Sequence, residues 1–363
     1  MGQKNNIRKQ LSFIELFKGE RSFLLFVLFL FVSASFIYPY PSLAMWFGFS
    51  VAAFSAISND SIQTLGTFFS SNTRKKWWVL WLFIGGLFLA TISISYILFD
   101  GDVSYQRLAT KGFDQAPTSF TYLQIAAPIF LIVFTRLRMP VSTTFLLLSS
   151  FAASSGAIAM VLSKSLVGYV IAFVFSFLIY VSVSKYLKKR FSGHPSDIWT
   201  VIQWISSGAL WCLWIMQDAA NIAIFLPRKL SLYEFLIFAS VIFLGLGVLF
   251  HARGGRIQKI VTNKSDITDV RPATIVNIIF SILMAYHMID STVPMSTTWV
   301  FLGLLAGREV AMTLTKTSSK KMGFTLKMVG KDVGLALIGL IVSIVIASNS
   351  EMRYELYTWL GFM

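Results

Sequence analysis

The sequence predicts an all-α polytopic membrane protein of about eleven transmembrane helices, arranged as two inverted-topology five-helix repeats with discontinuous helices. Three observations carry this prediction. Apolar runs of membrane length recur through all 363 residues, basic residues crowd into alternate loops, and two short motifs each occur twice.

Composition sets the class. The chain is 56% apolar and 13% charged, with a mean hydropathy of +0.70, whereas a soluble domain carries about 25% charge. Apolar runs lie near 22–39, 42–70, 77–99, 121–135, 140–162, 165–184, 199–225, 231–250, 272–290, 294–315 and 329–348. Runs of this length mean helices, because spanning β-strands are short and alternate in polarity.

The net charge of +15 points to topology and away from nucleic acid. With the N-terminus in the cytoplasm, the inner segments hold Lys4, Arg8, Lys9, Lys18 and Arg21, Arg74, Lys75 and Lys76, Arg136 and Arg138, and Lys185, Lys188, Lys189 and Arg190. They also hold Arg253, Arg256, Lys259, Lys264 and Arg271, then Lys316, Lys320, Lys321, Lys327 and Lys331, which makes most of the 31 basic residues. The other face receives Arg107, Lys111, Lys164, Arg228, Lys229 and Arg353. That bias is the positive-inside rule. It places the protein in a membrane of bacterial inner type, with the C-terminus outside. Anionic lipid is an expected partner, nucleic acid is not, and a homo-oligomer stays open. The single Cys212 allows no intrachain disulfide. His194, His251 and His287 lack metal-ligand spacing and read as ordinary polar residues. The first apolar run reads as a retained helix, not a cleaved signal.

The repeat comes from motifs. Asn59-Asp60-Ser61-Ile62-Gln63 is matched by Gln217-Asp218-Ala219-Ala220-Asn221, each an amide, an Asp, two residues and an amide. Pro140-Val141-Ser142-Thr143-Thr144 is matched by Pro294-Met295-Ser296-Thr297-Thr298. Two motifs at nearly one offset indicate a duplication, and five spans per copy force the second in upside down. The expected parts are an N-terminal segment and extra helix (1–41), repeat one (42–184), a cytoplasmic linker (185–198), repeat two (199–350) and a tail (351–363).

A carboxylate inside an apolar span costs several kcal/mol. Asp60 and Asp218 therefore read as protonated, paired or cation-holding, with a structural anchor between helices as the alternative. Flanking amides add oxygen ligands suited to a hard cation such as Na⁺ rather than a transition metal. The Pro-x-Ser-Thr-Thr segments read as helix starts, Pro breaking the preceding segment and Ser or Thr capping a new helix. Free amides and the positive dipole end there form an anion cradle without Arg or Lys. A kink or packing site is the alternative. Arg308 and Glu309 fall within a span; pairing of Arg308 with Glu309 or another carboxylate is favoured over an anion-attracting or gating role.

These motifs resemble those of the inorganic phosphate transporter family, the PiT-type phosphate and sulfate permeases, which carry a duplicated Gly-Ala-Asn-Asp-Val-Ala-Asn-like signature and a duplicated Pro-Val-Ser-Thr-Thr-His-like motif. Both pairs occur here in the same order over nearly the whole chain. The resemblance implies that Asn59, Asp60, Gln63, Gln217, Asp218 and Asn221 serve cation binding and coupling. It likewise implies that Ser142, Thr143, Thr144, Ser296, Thr297 and Thr298 bind the substrate. This sequence departs from the pattern at Phe145 and Trp299, where the family has His, and at Gln63 and Gln217, where it has Asn.

The expected function is secondary active uptake of an inorganic oxyanion by alternating access, phosphate first, coupled to Na⁺ ahead of H⁺. Sulfate or another small anion on the same fold, or a passive anion channel, is the alternative. A convergent nucleophile, base or metal cluster is not found in the sequence, so no enzyme, no transition metal and no organic cofactor are expected.

Overall fold

The computed structural model describes residues 20–137, 139–191, 193, 195–252 and 269–347. The segment 1–19, Arg138, His194, the basic residues Arg253, Arg256, Lys259 and Lys264, and the tail 351–363 lie outside the described residues.

The described chain is all α. In order run α1 (Arg21–Ile37), α2 (Pro41–Thr64), α3 (Gly66–Ser71), α4 (Trp77–Leu98), α5 (Tyr122–Arg136), α6 (Thr143–Leu146), α7 (Ser155–Arg190), α8 (Asp197–Ala223), α9 (Leu232–His251), α10 (Val270–Asp290), α11 (Thr297–Leu314) and α12 (Met322–Ala347). Single 3₁₀ turns occupy Arg107–Ala109 and Leu148–Phe151. Seven described helices are long and apolar enough to cross a bilayer: α2, α4, α7, α8, α9, α10 and α12. The 17-residue α1 and 15-residue α5 are apolar but shorter, and the 18-residue α11 carries Arg308 and Glu309.

Burial is inverted relative to a soluble protein. Leu25, Phe29 and Phe36 on α1, Val170 and Leu178 on α7, and Ile341 and Val345 on α12 are exposed, while Ser55, Asp60, Thr64, Gln203 and Asn277 are fully or almost fully buried. Apolar faces turned outward and polar groups turned inward suit a lipid solvent. The molecule is a polytopic membrane protein.

Three expectations need correction. The predicted span 140–162 is not one helix: α6 lasts four residues, the 3₁₀ turn comes next, and the chain is irregular to Ser154. The predicted span 165–184 is instead the 36-residue α7, about 54 Å long at 1.5 Å per residue. Lys164 misled the reading, because a lysine between apolar runs looks like a loop. In the structure it stays helical, its ammonium donating to the carbonyls of Ser291 at 2.9 Å and Val293 at 2.8 Å. The predicted 42–70 span breaks at Leu65, between α2 and α3. Helix α7 also runs through Lys185–Arg190, half of the expected linker, where basic side chains favour a helix C-terminus.

Local sequence explains the ends. Thr121 with Gln124, and Ser231 with Glu234, form capping boxes that start α5 and α9. After α4, Gly101 adopts φ +94° and a Cβ there would lie 2.9 Å from the Leu230 carbonyl. Only glycine lets the backbones meet, with Leu230 N donating to Gly101 O at 2.9 Å.

Helix α2 packs on α5 and α9; α8 packs on α10 and α4. Helix α7 lies along α11, and α12 lies on α6; α4 meets α9, and α2 meets α8. The loop after α4 joins the start of α9 through Gly101, and Arg107 in the same loop donates to Ser291 just after α10. Gln124 at the start of α5 reaches Ser150, and Ala153 just before α7 bonds Gly112 of that loop. One end of the bundle therefore gathers the ends of α4 and α10 with the starts of α5, α7 and α9.

Candidate functional site

The two Ser-Thr-Thr segments start helices, and both are buried. Ser142 accepts from Phe145 N at 3.2 Å, and Ser296 from Trp299 N at 3.2 Å. Both serines thus act as N-caps, which commits their hydroxyls to the helix start. The Thr144 hydroxyl lies 3.1 Å from the Met295 carbonyl, so the two starts touch. Phe145 and Trp299 complete the contact edge to face, with ring centroids 6.2 Å apart.

The Asp motifs sit in helix interiors beside these starts. Asn59 donates to Asp60 Oδ1 at 2.9 Å and to the Val141 carbonyl at 3.1 Å, and accepts from Thr135 at 3.1 Å. Thr143 adjoins Asp60. In the other half, Asn221 donates to Asp218 Oδ1 at 2.6 Å, and Thr297 adjoins that carboxylate. The amides also reach across between the halves. Gln63 donates to Thr298 at 3.0 Å, and Asn221 donates to Thr144 at 3.2 Å. Each amide three residues after an Asp therefore meets the last Thr of the opposite motif. Thr144 also lies 3.4 Å from Asp218 Oδ1, and the two carboxylates lie within electrostatic reach of each other.

Several buried polar atoms here have no partner among the described residues: Asp60 Oδ2, Gln63 Oε1, Asp218 Oδ2, Asn221 Oδ1, Thr297 Oγ1 and both amide atoms of Gln217. Buried polar groups are nearly always satisfied, and each exception calls for an explanation. Five of these atoms are carboxylate or amide oxygens, the donor set of a hard cation. The arrangement thus brings together Asn59, Asp60, Gln63, Asp218, Asn221, Thr143, Thr144, Thr297 and Thr298. Ser142 and Ser296 stand behind as caps. Gln217 is buried, and its side chain bonds none of the described residues.

A cavity of about 390 Å³ begins at Asn59, Gln63, Pro140 and Thr298 and extends to Arg308, Glu309, Lys320 and Lys331. Arg308 bonds Glu309 at 2.7 Å, and Lys320 holds the other oxygen at 3.0 Å. Of the carboxylate partners expected for Arg308, the structure shows Glu309, and the pair lines the cavity wall. Sequence reasoning missed Thr135, whose only signal was a hydroxyl shortly before the Pro140 motif. It also missed buried Arg107, which lies within electrostatic reach of Asp218.

Among solved structures, the chain is similar to one titled "The sodium-dependent phosphate transporter", with a TM-score of 0.58 at 15% identity, covering 88% of this chain and 98% of that one. The likeness is one of fold. No family model and no curated protein matches the chain. At that identity, what the two proteins share is the fold.

Proposed function

We propose that the protein is a cation-coupled secondary transporter that takes up an inorganic oxyanion, phosphate first, by alternating access. The observation that carries the reading is the cluster of unpartnered buried oxygens where two capped helix starts meet, beside a cavity lined by Asn59, Gln63 and Thr298. In this reading Na⁺ is taken by Asp60 and Gln63 and by Asp218, Asn221 and Gln217. The anion lies against the Thr143, Thr144, Thr297 and Thr298 hydroxyls and the free first-turn amides. Two carboxylates would repel an oxyanion at this range in low dielectric, and bound cations remove that repulsion. Cation first, anion second is the resulting order.

The packing supports an inverted duplication. Exchange α2 with α8, α4 with α9, α5 with α10, α6 with α11 and α7 with α12, and each helix contact described above maps onto another or onto itself. One end of the bundle also holds the start of α5 and the end of α10, as opposite insertion requires. Sites at the interface of such repeats are a recurrent transporter design. Lys320 and Lys331 also line the cavity, and the expected topology puts them on the cytoplasmic side; in this reading the cavity is the inward-facing route to the site.

Uptake into proteoliposomes, with an inward Na⁺ gradient against a K⁺ control, tests the reading. A competition panel of phosphate, arsenate, sulfate and bicarbonate identifies the anion. We expect Na⁺-driven accumulation, with phosphate and arsenate competing best. Asp60→Asn and Asp218→Asn should each cut the rate at least tenfold and flatten its Na⁺ dependence. Wild-type rates in both variants would remove the coupling role; uptake that never exceeds the external concentration would make the protein a facilitator.

A further inference from the structure

At the end of the bundle away from the cavity, a buried cation, Arg107, and a half-buried one, Lys164, converge with no carboxylate of the described residues in contact with them. Arg107 is 2% exposed. Its guanidinium donates to the Ser291 carbonyl, and its Nε has no partner. Lys164, from α7, donates to the carbonyls of Ser291 at 2.9 Å, Val293 at 2.8 Å and His287 at 3.4 Å. His287 beside them is buried, and its Nε2 is also unpartnered. The carboxylates that act on this pair, Asp218 on Arg107 and Asp290 on Lys164, do so at a distance, without an ion-pair contact. Arg107 and Lys164 also repel each other. Burial lowers the Arg107 pKa to about 10, which leaves it charged at neutral pH.

Buried charge without a partner is costly, and structures ordinarily pair it. Backbone carbonyls satisfy hydrogen bonds but supply no counter-charge. An oxyanion supplies both, and charge-assisted bonds to one are stronger than bonds to neutral carbonyls. The carbonyls now occupied belong to the turn between α10 and Pro294, the residue that leads into Ser296-Thr297-Thr298. Whatever takes those donors frees the turn that holds the second helix start.

We propose that Arg107 and Lys164 form an outer oxyanion station, where an inorganic oxyanion arriving from the side of the 100–120 loop takes over their donors from the 291–293 turn before passing to the threonine site. The station rests on the oxyanion reading above. It adds a residue pair and a direction to that reading, because such a station serves one face of the membrane.

Glutamine at either position can still donate to a carbonyl but carries no charge, which separates a station from a structural clasp. Arg107→Gln and Lys164→Gln are measured in oriented proteoliposomes with phosphate offered at either face, alongside thermal unfolding in detergent. At the 100–120 face each variant should raise the half-saturating phosphate concentration about tenfold, the scale of one lost charge-assisted bond. The value at the opposite face and the unfolding midpoint should hold, and Arg107→Lys should recover most of the loss. Unchanged half-saturation, an equal rise at both faces, or loss of folding in both Gln variants would overturn the station. Failure of the wild-type chain to move any oxyanion would instead sink the parent reading, and the station with it.

Discussion

The two Ser-Thr-Thr segments begin alike and end differently. Both serines cap at 3.2 Å, and both following aromatics pack into one contact. Beyond that point α6 stops after four residues, while α11 continues for 18. The downstream residues explain the split. After Thr298 the chain places Gly303 and Gly307 against α7, where an added Cβ would sit 2.3 Å from the Tyr169 carbonyl and 2.2 Å from that of Phe173. Ser176 of α7 seals the contact by donating to the Leu304 carbonyl at 2.7 Å. Small residues spaced by four let two helices touch backbone to backbone, a main source of cohesion in lipid. After Thr144 the chain reads Phe145-Leu146-Leu147-Leu148-Ser149-Ser150, with Ser149 and Ala153 where the second copy has Gly303 and Gly307, and its helix yields to a 3₁₀ turn.

One tip is therefore the end of a long dipole fixed to a scaffold; the other is a single turn held by side chains. A macrodipole requires aligned peptides over several turns. In the proposed site α11 would therefore supply most of the field, and the first segment mainly hydroxyls. The difference teaches that duplicated motifs fix where helices start, and the sequence after them fixes what each start can do.

The largest effect should come from breaking the scaffold of the second tip. Gly307→Ala would gain about 1 kcal/mol by helix propensity alone. Here the added methyl strikes a backbone carbonyl, and overpacking of this kind costs about 1–3 kcal/mol or more. We expect a net loss of folded protein and a lower unfolding midpoint in detergent. A midpoint equal to or above wild type would show that α7 and α11 are not in backbone contact.

A smaller, more selective effect should separate the two flanking amides. Asn59 spends its side chain on Asp60, Val141 and Thr135, so Asn59→Ala should cost roughly 1–3 kcal/mol of stability through the groups it orphans. Asn221 keeps an unpartnered Oδ1. Its amide nitrogen also donates to Asp218, Thr143 and Thr144, so Asn221→Ala should lower the unfolding midpoint by a similar amount and, unlike Asn59→Ala, raise the Na⁺ concentration for half-maximal uptake several-fold. Unfolding curves and Na⁺ titrations on the pair check this, and the reverse pattern would exchange the two roles.

Helix starts, buried acids and most spans were legible because each has a local signature: a capping serine after proline, a charge in an apolar run, or a run of sufficient length. What sequence could not show depends on contacts distant in the chain. Lys164 looked like a loop residue because its carbonyl partners lie more than a hundred residues away. The stretch 147–154 looked helical because hydropathy reports composition, not whether a helix finds a surface to pack on. Arg107 gave no sign of burial, since nothing around Gln106 or Leu108 marks a loop that folds inward. The crossed contacts Gln63–Thr298 and Asn221–Thr144 were implied only as far as the repeats were expected to meet.

The smallest effect tests the comparison most directly, because it applies one chemical change to both tips. Ser142→Ala and Ser296→Ala each remove one cap bond, a loss of about 1 kcal/mol in either place. In α11 the change falls on a helix held along its length by α7, so the start should stay in position. In α6 the cap supports the only turn there is, and Thr143 and Thr144 hang from that turn beside Asp60 and Asp218. Equal losses of stability should therefore accompany unequal losses of transport, with Ser142→Ala several-fold slower than Ser296→Ala at the same fraction of folded protein. Equal rates would mean that the side-chain contacts of Thr144 to Asn221 and Met295, rather than the cap, hold the first tip in place.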